Sequence, residues 1–394
     1  MRLLVSLGIA TVGSAGMYAV VVVLPAFQVD FDISRGGASI PYTMVMAGFG
    51  LGGLIVTRLV ARYGIVRSLL FCSVALGLSY IQGAFSESLL LLSLAHIQIG
   101  AFGNAIVFAP LLADISKWFT KRRGLAIAIC ACGNYLAGTL WPPIMQAMLA
   151  DVGWRETYVF IGFLSTALMF PLVFFLNRKP ATTVNISKGG SEGSSYDLGL
   201  TPNMLSALLC FAGIACCIAM AMPQVHLVAL CGDRGYGPAV GAQMLSLMLA
   251  CGLVSRLGFG WLSDRLGGLM TLLIGSSLQC FALLCFLGAD SLVSIYAVSM
   301  MFGLFQGGIV PSYALVVREF FPEAQAANRL GIIVLATVFG MAFGGWVSGA
   351  IYDHTGTYQV AFAHGAGWNL VNVAIILMLL VRSGRLRSPV WNTA

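Results

Sequence analysis

Twelve apolar stretches, each about as long as a helix that crosses a bilayer, fill almost the whole chain. They fall near 3–27, 39–60, 68–86, 89–113, 124–149 and 155–176, then near 203–230, 238–262, 268–288, 291–316, 329–351 and 358–382. Inside a bilayer no water satisfies backbone N–H and C=O groups, so a spanning segment is either a helix or part of a closed barrel. Barrel strands alternate apolar and polar residues, whereas these runs are continuous. Only 9% of the 394 residues are charged, against roughly 25% in soluble domains, too few to cover a water-facing surface. The expected fold is an all-α membrane protein with twelve transmembrane helices, numbered 1 to 12 in chain order.

The stretches form two sets of six. Between them lies 177–202, a polar segment with Gly189-Gly190-Ser191-Glu192-Gly193-Ser194-Ser195, the composition of a flexible linker. The halves resemble each other. Thr57-Arg58-Leu59-Val60-Ala61-Arg62-Tyr63-Gly64 returns 203 residues later as Gly260-Trp261-Leu262-Ser263-Asp264-Arg265-Leu266-Gly267. Gly153 and Gly162 return as Gly356 and Gly365, while Pro110 and Pro311 lie 201 apart. That period is too long for a solenoid unit. It predicts two pseudo-symmetric six-helix bundles, 1–176 and 203–382, followed by a tail at 383–394. In membrane proteins duplicated halves point to a transporter whose substrate site lies where they meet.

If the helices alternate, sixteen Arg and Lys residues fall on one side, among them Arg2, Arg62, Arg67, Lys121, Arg122, Arg123, Arg265 and Arg318. The other side holds Arg35, Arg155 and Arg234. The positive-inside rule places the first side, with both termini and the linker, in the cytoplasm. The expected location is the cytoplasmic (inner) membrane, and the protein is expected to be a monomer. Topology accounts for the net charge of +7, and the dispersed basic residues predict no nucleic-acid partner. The first run is too long for a signal peptide and lacks a convincing cleavage site, so it is read as helix 1. Ten cysteines sit almost entirely inside apolar runs without metal-ligand spacing. They are read as small packing residues, and no metal or other cofactor is expected.

Arg256 is the residue that needs explaining. It lies eight residues inside the loop acid Asp264, about 12 Å along a helix and near the middle of a bilayer core roughly 30 Å thick. Leaving a guanidinium in lipid there costs about 2.5–3.5 kcal/mol even on a mild scale. It therefore faces a wet cavity or a partner. Its planar fork suits a carboxylate. The alternative is a structural arginine that binds helix carbonyls or braces the Asp264 loop. Other polar residues inside apolar runs are Asn104 in helix 4, Asn134 and Tyr135 in helix 5, His226 in helix 7, and Gln306 and Tyr313 in helix 10. His226 can titrate near neutral pH. All are candidate substrate-binding residues, and interhelical hydrogen bonds use the same residue types. His96, His364, Asn369 and Asn372 are read as packing groups. Asp114, near the cytoplasmic end of helix 4, is expected to stay wet.

The loop from Gly260 to Gly267 matches Gly-x-Leu-x-Asp-Arg-x-Gly, and with the twelve helices and the half repeat the chain resembles the major facilitator superfamily. The first-half copy keeps Arg62 and Gly64 but has Thr57 and Ala61 where the family has glycine and aspartate. The resemblance implies gating or conformational roles for Gly260, Asp264, Arg265, Gly267, Arg62 and Gly64, and for Arg122 and Arg123. Trp118-Phe119-Thr120-Lys121-Arg122-Arg123-Gly124-Leu125-Ala126 and Asp30-Phe31-Asp32-Ile33-Ser34-Arg35 resemble the monocarboxylate-transporter and oxalate/formate-antiporter branch. That branch has a substrate arginine in helix 8, four residues before a glycine and eight before the loop acid. Arg256 stands in that relation to Gly260 and Asp264.

The branch's proton-coupling aspartate, four residues before that arginine, is Gly252 here, and its helix 1 and helix 11 lysines are missing. Coupling through His226, anion exchange and uniport all stay open. The expected function is secondary transport of a small, monocarboxylate-like organic anion by alternating access, with lipid and, for symport, protons as further partners. The alternatives are a carrier of a neutral solute or drug and a transporter-fold sensor without flux. An enzyme is not expected, because the runs hold no acid pair, Ser-His-Asp set or metal cluster.

Overall fold

The computed structural model describes residues 1–119, 123–177 and 198–384. Lys121 and Arg122, most of the linker (178–197) and most of the tail (385–394) lie outside the described residues.

Among the described residues every regular element is helical. Eleven continuous helices are long and apolar enough to cross a bilayer. One of them, the 50-residue Pro238–Leu287, has a φ of 77° at Gly267, outside the helical range. Its two legs are helices 8 and 9, which makes twelve. Gly64 turns the chain between helices 2 and 3 in the same way, with φ 82°. Gly153 (φ 86°) joins helices 5 and 6, and Gly356 (φ 67°) joins helices 11 and 12. A side chain resists this left-handed region, which is why the repeat has glycine at both copies of each corner.

Several helices are interrupted. Helix 1 pauses at Ser14 between Arg2–Gly13 and Ala15–Asp30. Helix 4 runs as Leu89–Ile99, passes through a π-helical turn at Gly100–Asn104, breaks at Phe108 and resumes as Ala109–Trp118. Pro110 sits in the first turn of that last piece, where a missing N–H leaves no bond unmade. Helix 10 breaks at Gly307 and Gly308 between Leu292–Gln306 and Ile309–Phe320. Helices 4 and 10 are thus broken at matching places in the two halves.

The chain divides into two compact units. The first holds the described residues of 1–177 together with 224–250 and 345–358; the second holds 198–223, 251–344 and 359–384. The boundary falls within helices 7, 8 and 11. In the first unit Phe27 packs edge-on against Trp154 at 5.0 Å. Beside them His96 shares hydrogen bonds with Leu92 O (2.7 Å) and the Tyr158 hydroxyl (3.0 Å). In the second unit Phe286 stacks on Phe362 at 4.6 Å, and Asn369 and Asn372 each donate to Ser276 at 2.7 Å. These histidine and asparagine contacts are packing contacts, as expected. The apolar window of helix 1 is 89% buried and that of helix 2 only 28%. Helix 1 is a core element, whereas helix 2 turns Leu51, Leu54 and Ile55 outward, as a lipid-facing helix does.

Candidate functional site

Arg256 belongs to the second unit, on the helix 8 leg of the long rod, and is half-buried. Its Nε donates to the Gly307 carbonyl at 3.4 Å, at the break in helix 10. The approach depends on glycine: a Cβ on Gly307 would lie 2.3 Å from Gly252 O and 2.9 Å from Ser255 Cβ. Helix 8 therefore lies backbone to backbone against the break, with the guanidinium at its edge. Gln306, the residue before the break, is wholly buried. Arg256 and the Gly307 carbonyl are brought together. Tyr313 is drawn elsewhere: it is 1% exposed and its hydroxyl donates to Asn372 Oδ1 at 3.0 Å.

The first unit holds the other candidates. Tyr18 of helix 1 donates to Asn134 Oδ1 at 2.9 Å, and Tyr135 is buried beside it. About two turns further, Trp141 Nε1 donates to Thr11 O at 3.0 Å. These bonds tie helix 5 to helix 1. Ser246 of helix 8 donates to Thr139 O, also on helix 5. The π-helical turn of helix 4 ends at Asn104. Its Oδ1 is buried with no hydrogen-bond partner among the described residues, which leaves an acceptor available to a donor not on this chain.

His226 is fully buried. One ring nitrogen meets Gly345 O at 2.8 Å and the other the Tyr358 hydroxyl at 3.2 Å, so both nitrogens are occupied by the protein itself. Tyr358 also accepts from Arg35 Nη1 at 3.0 Å. Arg35 Nη2 binds Asp233 at 2.8 Å. The backbone N–H groups of Arg35 and Gly36, which open helix 2 (Arg35–Tyr63), both donate to the Asp353 carboxylate at 2.7 Å. The guanidinium lies 4.8 Å from the Tyr352 ring. A cavity of about 580 Å³, lined in part by Gln28, Asp32, Arg35 and Asp233, opens beside the ion pair. Tyr358 lies in the loop before helix 12, and burial pushes its phenol above the ordinary range, opposed by Arg35. Within this network His226 stood out in the sequence as a candidate site residue, and Arg35 was visible as one of three basic residues on the sparse side and as the end of the Asp30–Arg35 stretch. Asp233, Asp353 and Tyr358 each stand at a helix end, where polar residues are ordinary.

The corner loops also take shape. Asp264 and Arg265 are exposed. Arg265 lies 4.0 Å over the Trp261 ring, and Arg62 lies 5.3 Å from the Tyr63 ring. Gly260 is open to its surroundings, and Gly267 and Gly64 make the turns. Gly268 N, at the start of helix 9, donates to Glu319 Oε1 at 2.7 Å, an acid at a helix N-terminus 51 residues away in sequence. Arg123 opens helix 5. The expectation for Asp114 is corrected: it is 12% exposed and bound by Arg2 at 2.7 Å. Arg2 also caps Leu176 O at 3.0 Å and lies 4.1 Å over Trp118. The charge of the one residue leaves water because the other follows it.

Comparison with known proteins gives a family and a fold. The family model described as Major Facilitator Superfamily matches residues 6–287 and 207–392. Monocarboxylate transporter 13 of Rattus norvegicus is 25% identical over 357 residues, 87% of this chain and 78% of that protein. The MFS-type transporter pynF of Aspergillus niger is 26% identical over 335 residues, 84% of this chain and 75% of that one. The bacterial homologue of the human lysosomal transporter Spinster, in an inward-facing and occupied conformation, superposes with a TM-score of 0.69 at 15% identity. That match covers 97% of this chain and 94% of the other.

Proposed function

Because this chain belongs to the major facilitator superfamily, we propose that it carries a small, monocarboxylate-like organic anion across the cytoplasmic membrane by alternating access. The observation that carries the reading is Arg256: a guanidinium at membrane depth, half-buried, set against the glycine break of helix 10. Its Nε bond to Gly307 O sets the guanidinium beside that break, and a planar fork of five donors suits a carboxylate. The relatives named monocarboxylate transporters, at about a quarter identity, support the same substrate class.

In this reading Arg256 is the main substrate contact. Gln306, Asn104, Asn134 and Tyr135 line the path, and Asn104 Oδ1 awaits a donor. The two halves of the repeat, 1–176 and 203–382, are the bodies that rock, with the Gly260–Gly267 loop and its first-half copy at the cytoplasmic gate. The basic loops, both termini and the linker face the cytoplasm, and the carrier works as a monomer. The test is a thermal-shift screen of the purified protein against small carboxylates, repeated with Arg256→Gln. Stabilisation by one or more carboxylates that disappears in the variant supports the reading. A neutral solute that stabilises both forms equally, with no carboxylate effect, replaces it with a carrier of neutral cargo. Binding without flux into vesicles replaces it with a sensor.

A further inference from the structure

The two halves of the repeat use the same acid in different ways. Asp30 ends helix 1, and Asp233, 203 residues on, ends helix 7. In the first half Arg155, at the start of helix 6, binds Asp30 at 2.5 Å. The residue equivalent to Arg155 is Tyr358, which brings a hydroxyl in place of a cation. The guanidinium that reaches Asp233 belongs to Arg35 of helix 2. Helix 11 adds a second carboxylate, Asp353, which takes the two leading N–H groups of helix 2. Its charge also sits at the positive end of a 29-residue helix. The backbones touch directly: a Cβ on Gly349 would lie 2.9 Å from Arg35 O. Helices 7 and 11 are thereby fastened to helix 2 by one guanidinium and two amides.

Behind the guanidinium the hydrogen bonds have a fixed direction. Gly345 O can only accept, so the proton of neutral His226 is on Nε2. Nδ1 then accepts from the Tyr358 O–H, and the Tyr358 oxygen accepts from Arg35 Nη1. A second proton on the ring reverses the Nδ1 bond. Tyr358 loses its acceptor, and an imidazolium stands one phenol oxygen away from the Arg35 cation. The titratable and charged groups facing His226 are Tyr358 in the loop before helix 12, Arg35 of helix 2, Asp353 of helix 11 and, beyond Arg35, Asp233 of its own helix.

We infer that this cluster is a proton-read latch on the end opposite the basic loops: it is closed while His226 is neutral and released when His226 takes a second proton. The inference rests on the carrier reading for the idea that this end opens, and it assigns coupling to a residue that need not touch the cargo.

The test is hydrogen–deuterium exchange of the full chain in lipid nanodiscs near pH 8 and near pH 3.5, the acid arm set low because the ring is wholly buried beside a cation, corrected for the chemical exchange rate. The readout is the amides of Arg35 and Gly36. In the parent these amides should lose protection by about tenfold or more on acidification, the loss of one hydrogen bond to a charged group. His226→Gln keeps both neutral contacts, accepting through Oε1 and donating through Nε2, and does not titrate; its protection should be high at both pH values. Tyr358→Phe keeps the ring and should lose protection already near pH 8. Arg35→Gln should do the same, and Tyr358→Phe carries the test if that variant does not fold. Equal protection of the parent at the two pH values overturns the latch. Acid release that persists in His226→Gln moves the proton to Asp233 or Asp353 and overturns the assignment. No anion is added, so failure of Arg256 as a substrate contact leaves every one of these results unchanged.

Discussion

Gly307→Ala measures how tightly helix 8 is pressed on the break in helix 10. The added methyl would stand 2.3 Å from Gly252 O, 2.9 Å from Ser255 Cβ and 3.0 Å from Ser255 Oγ. Its nearest obstacle is backbone, which cannot swing aside. Restoring an ordinary contact separates the helices by roughly 1 Å, and overpacking of this kind costs about 1–3 kcal/mol. The same substitution at Gly258, two residues beyond Arg256, meets nothing within 4 Å. There the reduced freedom of the unfolded chain should give a gain of about 0.4–1 kcal/mol. The two variants should therefore move in opposite directions from the parent in equilibrium unfolding from mixed micelles. The separation also carries the Gly307 carbonyl away from Arg256 Nε, so carboxylate-dependent stabilisation should change in Gly307→Ala and not in Gly258→Ala. A Gly307→Ala protein as stable as Gly258→Ala would refute the close approach and with it the placement of Arg256 beside the break.

Three further outcomes are expected. Arg256→Lys should reduce anion uptake by tenfold or more, because a point charge replaces a two-pronged fork worth about 1.5–3 kcal/mol; uptake equal to the parent in a folded variant removes Arg256 from the site. Asp264→Asn should lower the maximal transport rate several-fold and leave half-saturation in place, since the residue sits on an exposed corner; lost affinity at an unchanged maximal rate would argue for substrate contact instead. Tyr358→Phe should remove an alkaline loss of stability. Burial holds the Tyr358 phenol above its ordinary value of 10.0, so its contribution is complete below about pH 10 and fades as pH rises beyond it. A parent melting curve that does not fall in that range, or one that falls equally in the variant, contradicts this.

The architecture was readable because hydropathy and glycine spacing report directly on spans and corners. Gly64 and Gly267, or Gly153 and Gly356, stand 203 apart in sequence and have positive φ in the structure. Arg256 was readable because an ionised residue deep in an apolar run is conspicuous. The Arg35 cluster was not, since it joins residues 198 and 318 positions apart whose types are unremarkable at helix ends. The repeat hid it further, because Asp233 matches Asp30 but Tyr358 does not match Arg155. Arg2 and Asp114 escaped for a related reason: each looks like a wetted terminal charge until the fold brings the other beside it. Polarity inside a run likewise could not distinguish Tyr313, tied to Asn372, from a residue facing the path.

The borrowed guanidinium has a consequence for biogenesis. Arg35 is synthesised nearly two hundred residues before Asp233 and more than three hundred before Asp353. Until helices 7 and 11 arrive, the inserted amino-terminal part holds a cation whose eventual acids have not yet been made, and a separately expressed carboxy-terminal part would hold those acids without it. Neither fragment is electrostatically complete, so each should associate with the other when both are supplied to the same membrane.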